Sequence, residues 1–167
     1  MNALINAKAF LLLLLIPGWL TYTDPAKKFT ISYPKDWTPK SVNTAVAFLS
    51  PRENANDNFQ ENVNVLEQDL SAQPMTLEQY TELSRKQITD AFGANAVVST
   101  APKALAGQKA MEMVYTMTYQ GRPLKIRAYW FIKEKTAWVL TFTAEPSQFS
   151  KYDPTGTAIL NSFALTK

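Results

Sequence analysis

The loop at residues 51–62, with the sequence PRENANDNFQEN, is rich in side chains that carry oxygen atoms. Carboxylate and amide oxygens are the ligands that calcium prefers in proteins, so this loop could bind that cation weakly. The order of the residues does not match the EF-hand pattern, and a solvated loop between two strands is the simpler interpretation. The candidate calcium ligands are Glu53, Asn56, Asp57, Asn58 and Glu61.

A second candidate site lies in a predicted hairpin, where basic and aromatic side chains alternate with apolar ones along residues 125–133. In a strand they share the face opposite Ile126 and Trp130. Aromatic and arginine side chains often anchor interfaces, so this face is predicted to dock a partner protein or anionic lipid headgroups. The alternative is an outward sheet face whose aromatics are partly covered by a helix. The candidate partner-binding residues are Arg122, Lys125, Arg127, Tyr129, Phe131 and Lys133.

Three methionines, Met111, Met113 and Met117, share one face of another predicted strand. Methionine side chains adapt their shape, so the row could line a groove for a small apolar ligand or a peptide. The same spacing is typical of a strand that faces the core. The methionine row is therefore compatible with two interpretations, a carrier or chaperone function and a purely structural role in the core.

Composition excludes several kinds of site. The chain has no cysteine and no histidine, which removes disulfides, thiol catalysis, zinc–thiolate sites and the commonest general base. The net charge of +3 is too small and too evenly spread to indicate nucleic-acid binding. We therefore predict a protein that is not an enzyme, that binds no nucleic acid and that has no cofactor unless calcium binds.

The first residues are predicted to be an export signal or a membrane anchor. Residues 9–20 form a short apolar run, AFLLLLLIPGWL, near the length of a signal-peptide core and below the ~20 residues that a spanning helix needs. Thr21 and Thr23 are the best small residues for a cleavage site. We expect a cleaved signal at residues 1–23, with an uncleaved anchor as the main alternative and a buried helix of the domain as the third, and one domain at residues 24–167. The domain is then exported, to a periplasm, a thylakoid lumen or the extracellular face of a membrane.

The strands and helices that must position these sites are predicted in runs. Alternating apolar residues predict strands at 29–33, 44–51 and 61–70, and a shorter one at 96–105. Between the last two, a helix begins after Thr76 with a capping-box pattern and ends at Gly93.

Three long strands then follow, joined by tight turns at Gln120-Gly121 and Glu134-Lys135. A closing helix is predicted from about Pro154 to Ser162. Strands in runs, rather than alternating with helices, indicate an α+β fold. We expect an antiparallel sheet of six or seven strands flanked by helices.

Six stretches of the chain follow one another in a characteristic order and spacing. They are FTISYPKDW (29–37), FLSP (48–51), ENVNV (61–65), TLEQYTEL (76–83), YWFIKEKTAWVLTFTA (129–144) and AILNSF (158–163). In this order and spacing they resemble the PsbP-like family, named for the extrinsic subunit of the plant photosystem II oxygen-evolving complex. The resemblance covers about residues 27–165.

The resemblance implies an α/β/α sandwich and export from the cytoplasm. Photosystem members of the family bind membrane-embedded subunits and help to retain calcium and chloride, and a more distant group with this fold serves as chaperones for secreted toxins. The histidines proposed as metal ligands in the plant protein have no counterpart here, so manganese or zinc binding does not carry over. The plant protein's long N-terminal arm also has no counterpart, which weakens a photosystem role.

The predicted function is therefore a non-catalytic, exported binding module. It would dock on a membrane protein complex, or on another partner at the membrane face, with contact to the membrane surface as part of this prediction. The alternative is a carrier of calcium or of a small apolar ligand or peptide, or a chaperone. No oligomeric state is predicted.

Overall fold

The computed structural model describes residues 18–26, 28–42 and 45–166. The predicted leader at residues 1–23 thus lies mostly outside the described residues, and it stays a prediction. The elements, in chain order, are β1 (Trp19–Thr23), β2 (Phe29–Pro34), β3 (Thr38–Val42), β4 (Ala45–Leu49), β5 (Asn62–Asp69), α1 (Leu77–Phe92), β6 (Val97–Leu105), β7 (Gln108–Tyr119), β8 (Arg122–Lys133), β9 (Thr136–Ala144), α2 (Pro146–Asn161) and β10 (Ala164–Leu165).

The strands form two sheets. The larger has seven strands in the order β3-β4-β5-β9-β8-β7-β6, all paired antiparallel, which confirms the predicted fold class. The smaller has the order β1-β2-β10. Strand β2 was predicted from its alternating pattern and it belongs to the smaller sheet, because alternation shows that one face is buried but does not show which strand is the neighbour.

Both faces of the large sheet are covered. Helix α2 and the small sheet pack on one face, where the core contains many aromatic rings, and α1 packs on the other around Met113 and Trp130. The Trp130 indole N–H donates a hydrogen bond to Thr81 Oγ1 on α1 over 2.9 Å, which satisfies the polar atom of this buried side chain. The residues that the large sheet contributes to the core beneath α2 and the small sheet include Phe48, Tyr129, Phe131, Trp138, Leu140 and Phe142.

Helix α1 has the predicted ends. Thr76 Oγ1 accepts a hydrogen bond from the Gln79 backbone N–H, and the Gln79 side chain accepts one from the Thr76 N–H, which completes the capping box. Gly93 follows the helix with φ 99°, a conformation that favours glycine.

Helix α2 begins earlier than predicted, at Pro146 instead of about Pro154. Pro146 occupies the first turn, where its missing N–H costs nothing. Pro154 lies inside the helix, so the prediction that a helix starts at this proline was wrong. Further along, Gly156 is buried against the Phe142 ring of β9.

The large sheet has two ends, and we call the one with the β7–β8 turn at Gln120 and Gly121 the upper end. The loop between β4 and β5 lies at this end, because Arg122 Nη2 donates to Asn58 Oδ1 over 2.8 Å. Arg122 also pairs with Glu145, which directly precedes α2. The opposite, lower end carries the β8–β9 turn.

The described chain also starts at the upper end. Trp19 of β1 pairs with Pro34, the last residue of β2. The turn after β2 brings the Trp37 ring within 6.4 Å of the Tyr152 ring of α2, and Tyr152 Oη donates to Glu53 of the β4–β5 loop. Gly18 is therefore near the loops of the upper end. Within the described part of the chain, no helix is long and apolar enough to cross a membrane.

Candidate functional site

The predicted docking face of β8 is covered by α2. Tyr129 is 1% exposed and Phe131 is fully buried, and both belong to the core beneath α2. Neither can touch a partner in this structure, which corrects their prediction as interface anchors. The reason is that aromatics on this face pack under a helix that begins eight residues earlier than the sequence pattern indicated.

The basic side chains of the same face hold α2 and the β4–β5 loop in place. Arg127 forms two hydrogen bonds to Asp153 of α2, at 2.8 and 3.0 Å, and an ion pair with Glu112 of β7. Burial acts to lower the pKa of Arg127, but the bonds and charges of these two carboxylates outweigh it and raise the pKa above its ordinary value. Lys125 lies 4.5 Å from the centre of the Phe149 ring.

Arg122 and Lys133 lie at opposite ends of β8. The Arg122 guanidinium is 5.1 Å from the centre of the Phe59 ring and is bound to the β4–β5 loop and the start of α2. Lys133 is exposed at the lower end. The six predicted residues therefore do not form one continuous surface, and partner binding by the exposed ones stays a prediction.

The predicted calcium ligands are brought together at the upper end. With two residues near the start of α2, they line an open cleft of about 240 Å³. The lining residues are Glu53, Asn54, Asn56, Asp57, Asn58, Glu61, Glu145 and Gln148.

These side chains already have partners in the protein. Asp57 accepts hydrogen bonds from the backbone N–H groups of Glu53, at 2.9 Å, and Phe59, at 3.1 Å, and these bonds lower the pKa of Asp57. Glu53 pairs with Lys151, and this hydrogen bond lowers the pKa of Glu53. Among the described residues, no group of three or more acidic, histidine or cysteine side chains is arranged to hold a metal ion. Calcium binding stays a prediction.

The buried carboxyl of Glu61 gives this loop an unusual pH dependence. Glu61 is 3% exposed, and Ser50 Oγ donates to its Oε2 over 3.3 Å. Burial raises the pKa of Glu61 above its ordinary value of 4.5, and the hydrogen bonds to its own backbone and to Ser50 offset this only in part. The folded protein therefore holds this proton more tightly than the unfolded chain. This contribution to stability is complete below the ordinary pKa and is lost as the pH rises through the raised one.

We expect Glu61→Gln to increase the free energy of unfolding at pH 7 and to change it little at pH 4, as measured by urea unfolding. Glu53→Gln is the matched control with the opposite sign. The pKa of Glu53 is lowered, so its contribution is present above its ordinary pKa and is lost as the pH falls. An equal effect of Glu61→Gln at both pH values would contradict the prediction.

Two exposed apolar side chains near the β7–β8 hairpin were not predicted. In the described part of the chain they are Tyr119, which is 57% exposed beside the β7–β8 turn, and Phe92 at the end of α1. The other exposed large apolar residues there are Leu20 on β1, Val98 on β6 and Leu83 on α1. The sequence signal was weak, because single apolar residues at the ends of elements are common on surfaces.

A groove of about 650 Å³ lies between the end of α1 and the β7–β8 hairpin, and exposed Phe92 is part of its lining. Its lining includes Met117 from the predicted methionine row, whereas Met113 is fully buried under α1. The row is thus divided between core and groove. The lining residues are Ala91, Phe92, Thr116, Met117, Thr118, Pro123, Leu124 and Pro146.

The fold defines a class of protein: an α+β sandwich whose seven-stranded antiparallel sheet has a helix on each face, with a small sheet beside α2. The chain belongs to the PsbP family, whose model matches residues 17–165 and so includes β1. No curated protein matches the sequence closely enough to count as a relative.

Solved structures share this fold at low sequence identity. The cyanobacterial PsbP protein CyanoP from Synechocystis is 14% identical, with a TM-score of 0.64, over 90% of this chain and 94% of that one. LpqN from Mycobacterium tuberculosis, involved in cell envelope biogenesis, is 10% identical, with a TM-score of 0.61, over 89% and 91%. PA94 from Pseudomonas aeruginosa, a protein of unknown function, is 15% identical, with a TM-score of 0.59, over 81% and 89%.

Proposed function

We propose that the protein is a non-catalytic binding module that works on the outer side of a membrane, where it docks on a membrane protein complex or on another protein at the membrane face. The observation that carries this proposal is the open groove between α1 and the β7–β8 hairpin, with exposed Phe92 in its lining and exposed Tyr119 directly after the lining residue Thr118. Exposed apolar side chains beside a groove are typical of interaction sites. A photosystem-type role would be one form of such docking.

The extracytoplasmic setting is supported by the predicted leader and by family membership. One structural neighbour is described as involved in cell envelope biogenesis, and another is a cyanobacterial PsbP. Both likenesses concern the fold alone, so they do not identify the partner.

The absence of histidine and cysteine supports a non-catalytic role. A serine and a lysine with the S-x-x-K spacing of some acyl enzymes occur at Ser32 and Lys35, but Ser32 lies on strand β2 and Lys35 in the following turn. The Ser32 N–H and C=O are both bonded to the Ser162 hydroxyl, which ties this serine to the end of α2. These contacts are those of a structural position.

The second candidate function is a carrier of an apolar ligand or peptide, or a chaperone, and the groove of about 650 Å³ at the upper end favours it. Met117, Phe92 and Leu124 would supply its apolar contacts. A calcium carrier would use the acidic loop instead. Titration calorimetry with calcium would test the calcium-carrier function, and loss of the binding heat in Asp57→Ala would support it.

Site-specific photocrosslinking in the native membrane tests docking. A photoreactive phenylalanine at Tyr119 should give a discrete product with one membrane or membrane-face protein, because this side chain is exposed at the upper end. Lys135, exposed at the lower end, is the matched control and should give no such product. The same products from both positions, or none from either, would overturn the proposed docking.

A further inference from the structure

Helix α1 covers part of the large sheet without burying any residue of its own. We call residues 71–95, which contain α1, the α1 segment; every residue in it is exposed or half-buried. Helix α2, by contrast, buries four of its residues. The sheet side chains beneath α1 are nevertheless buried, with Met113 fully covered and Ile126 and Trp130 nearly so. An apolar part of the sheet is therefore shielded by a helix that is itself only partly buried.

Few polar contacts hold the α1 segment on the sheet. The Trp130 indole N–H donates to Thr81 Oγ1 over 2.9 Å, and Tyr80 Oη donates to Gln68 Oε1 of β5 over 2.8 Å. In the part of the chain that the structure describes, the ion pairs of α1 join residues of the helix to each other and not to the sheet. Elements with few buried contacts can open locally while the rest of a protein stays folded.

Both ends of the α1 segment are fixed. Leu70, the residue before it, is 4% exposed, and its N–H donates to a carbonyl of the β8–β9 turn over 2.7 Å. Ala96, the residue after it, is also buried, and its carbonyl accepts a hydrogen bond from the Thr116 N–H over 2.9 Å. The loop residues 71–74 and 93–95 between these points and the helix are exposed. Short loops of this kind can absorb the backbone changes of a hinge.

The apolar face beneath α1 continues into the groove of about 650 Å³. Leu124 lines the groove and also belongs to the core cluster under α1. Alternate residues of β8 then lead from Leu124 beneath the helix to Trp130. Phe92, at the end of α1, is part of the groove wall, so displacement of α1 would lengthen the groove along β8. None of the residues that line the groove is charged, which matches an uncharged apolar occupant.

We propose that the α1 segment is a lid that opens as one unit between Leu70 and Ala96 and adds the sheet face of Ile126 and Trp130 to the groove. The inference rests on the proposed function, because the groove is the site of the proposed docking, and it adds the control of that site. The open form presents the lengthened groove to an uncharged apolar segment of the docked protein. The fraction of open molecules then sets the apparent affinity.

Hydrogen exchange of the full chain, followed by mass spectrometry of its peptides, tests the lid. A helix of about this length is only marginally stable alone in water, so α1 loses its backbone protection when it leaves the sheet. We expect peptides from Leu77–Phe92 to exchange together and many-fold faster than those from Pro146–Asn161, the equally long α2. Peptides of β7 and β8 should stay protected, because these strands remain paired. Equal rates for the two helices would overturn the inference.

Thr81→Val should favour the open form, because it removes the acceptor of the Trp130 indole hydrogen bond with little change in volume. Thr89→Val is the matched control, since Thr89 Oγ1 donates to a carbonyl of its own helix. We expect Thr81→Val to speed the exchange of α1 peptides several-fold and to leave α2 peptides unchanged, with a much smaller effect from Thr89→Val. Equal acceleration throughout the chain would show global destabilisation and would contradict a separate lid movement.

Photocrosslinking from Tyr119 separates the lid from the docking. Thr81→Val should raise the yield of the crosslinked product several-fold, and Thr89→Val should not. Faster exchange without a higher yield would overturn control of docking by the lid, and stronger binding of the uncharged dye Nile red would then assign the opened groove to a small apolar ligand. No crosslink from the original protein, with α1 opening as expected, would overturn the docking and leave the lid movement.

Discussion

Gly156→Val is expected to destabilise the protein strongly and to loosen α2 from the large sheet. A Cβ atom at Gly156 would lie 2.4 Å from Cδ2 of the Phe142 ring, far inside van der Waals contact. Phe142 is fully buried between β5 and β8 and cannot move aside without displacing its neighbours. Overpacking of this kind costs about 3 kcal/mol and can exceed it. Urea unfolding followed by tryptophan fluorescence would measure the change in the free energy of unfolding.

Ser150→Val is the matched control for this substitution, because Ser150 is exposed on the same helix. It changes helix propensity by only a few tenths of a kcal/mol, so its unfolding midpoint should stay near that of the original protein. A double variant, Gly156→Val with Phe142→Leu, should lose less stability than the sum of the two single changes. Additive losses would show that the close approach of α2 and β9 is not the cause.

A chain that starts at Asp24 is expected to be much less stable than one that starts at Gly18. Asp24 is the domain boundary that the sequence predicts, but the structure places a complete strand, β1, before it. Tyr22 of that strand lies 5.6 Å from Phe48 and 6.1 Å from Phe29, measured between ring centres. Loss of a large aromatic contact from a core typically costs about 3–5 kcal/mol, and this deletion also removes Trp19 and exposes the edge of β2.

Urea unfolding of the two purified chains provides the measurement. Leu20→Ser in the longer chain is the control, since Leu20 is exposed on β1 and its loss should change stability little. Equal midpoints for the two truncated chains would show that β1 contributes nothing to the fold.

Much of the fold follows from local sequence signals. Thr76 and Gln79 predict the start of α1 because their hydrogen bonds are made within one turn. The hairpins at Gln120-Gly121 and Glu134-Lys135 are predicted for the same reason, since each turn joins strands that pair with each other. Such contacts are close in sequence, so a single segment contains all the information that they need.

The missed elements depend on contacts between distant segments. Strand β1 was taken as the end of a leader because WLTYT continues an apolar run, and only its pairing with β2 shows that it is a strand. Strand β3, with the sequence TPKSV, has no apolar pattern and is formed by pairing with β4. Pro154 was taken as a helix start, although a helix can contain a proline whose position is tolerated by its neighbours.

The candidate site was predicted in part. The acidic and amide side chains of residues 53–61 were expected to lie in one loop, and they do line one cleft. Their partners Lys151, Tyr152 and Arg122 come from other elements and could not be inferred from spacing. Both faces of β8 are buried, so the alternating pattern of its residues could not predict which helix covers Tyr129 and Phe131.

The order of strands in the large sheet also sets an order of folding. Strands β7, β8 and β9 are consecutive neighbours and can pair soon after they are made, as local contacts form fastest. Strand β5 cannot pair with β9 until β9 has been made, because the partners Asn62 and Thr143 are far apart in the sequence. During synthesis from the N-terminus, the edge of β5 that pairs with β9 would therefore stay unpaired until nearly the whole chain is available. This late closure would leave that edge available for pairing with other chains while synthesis is still under way.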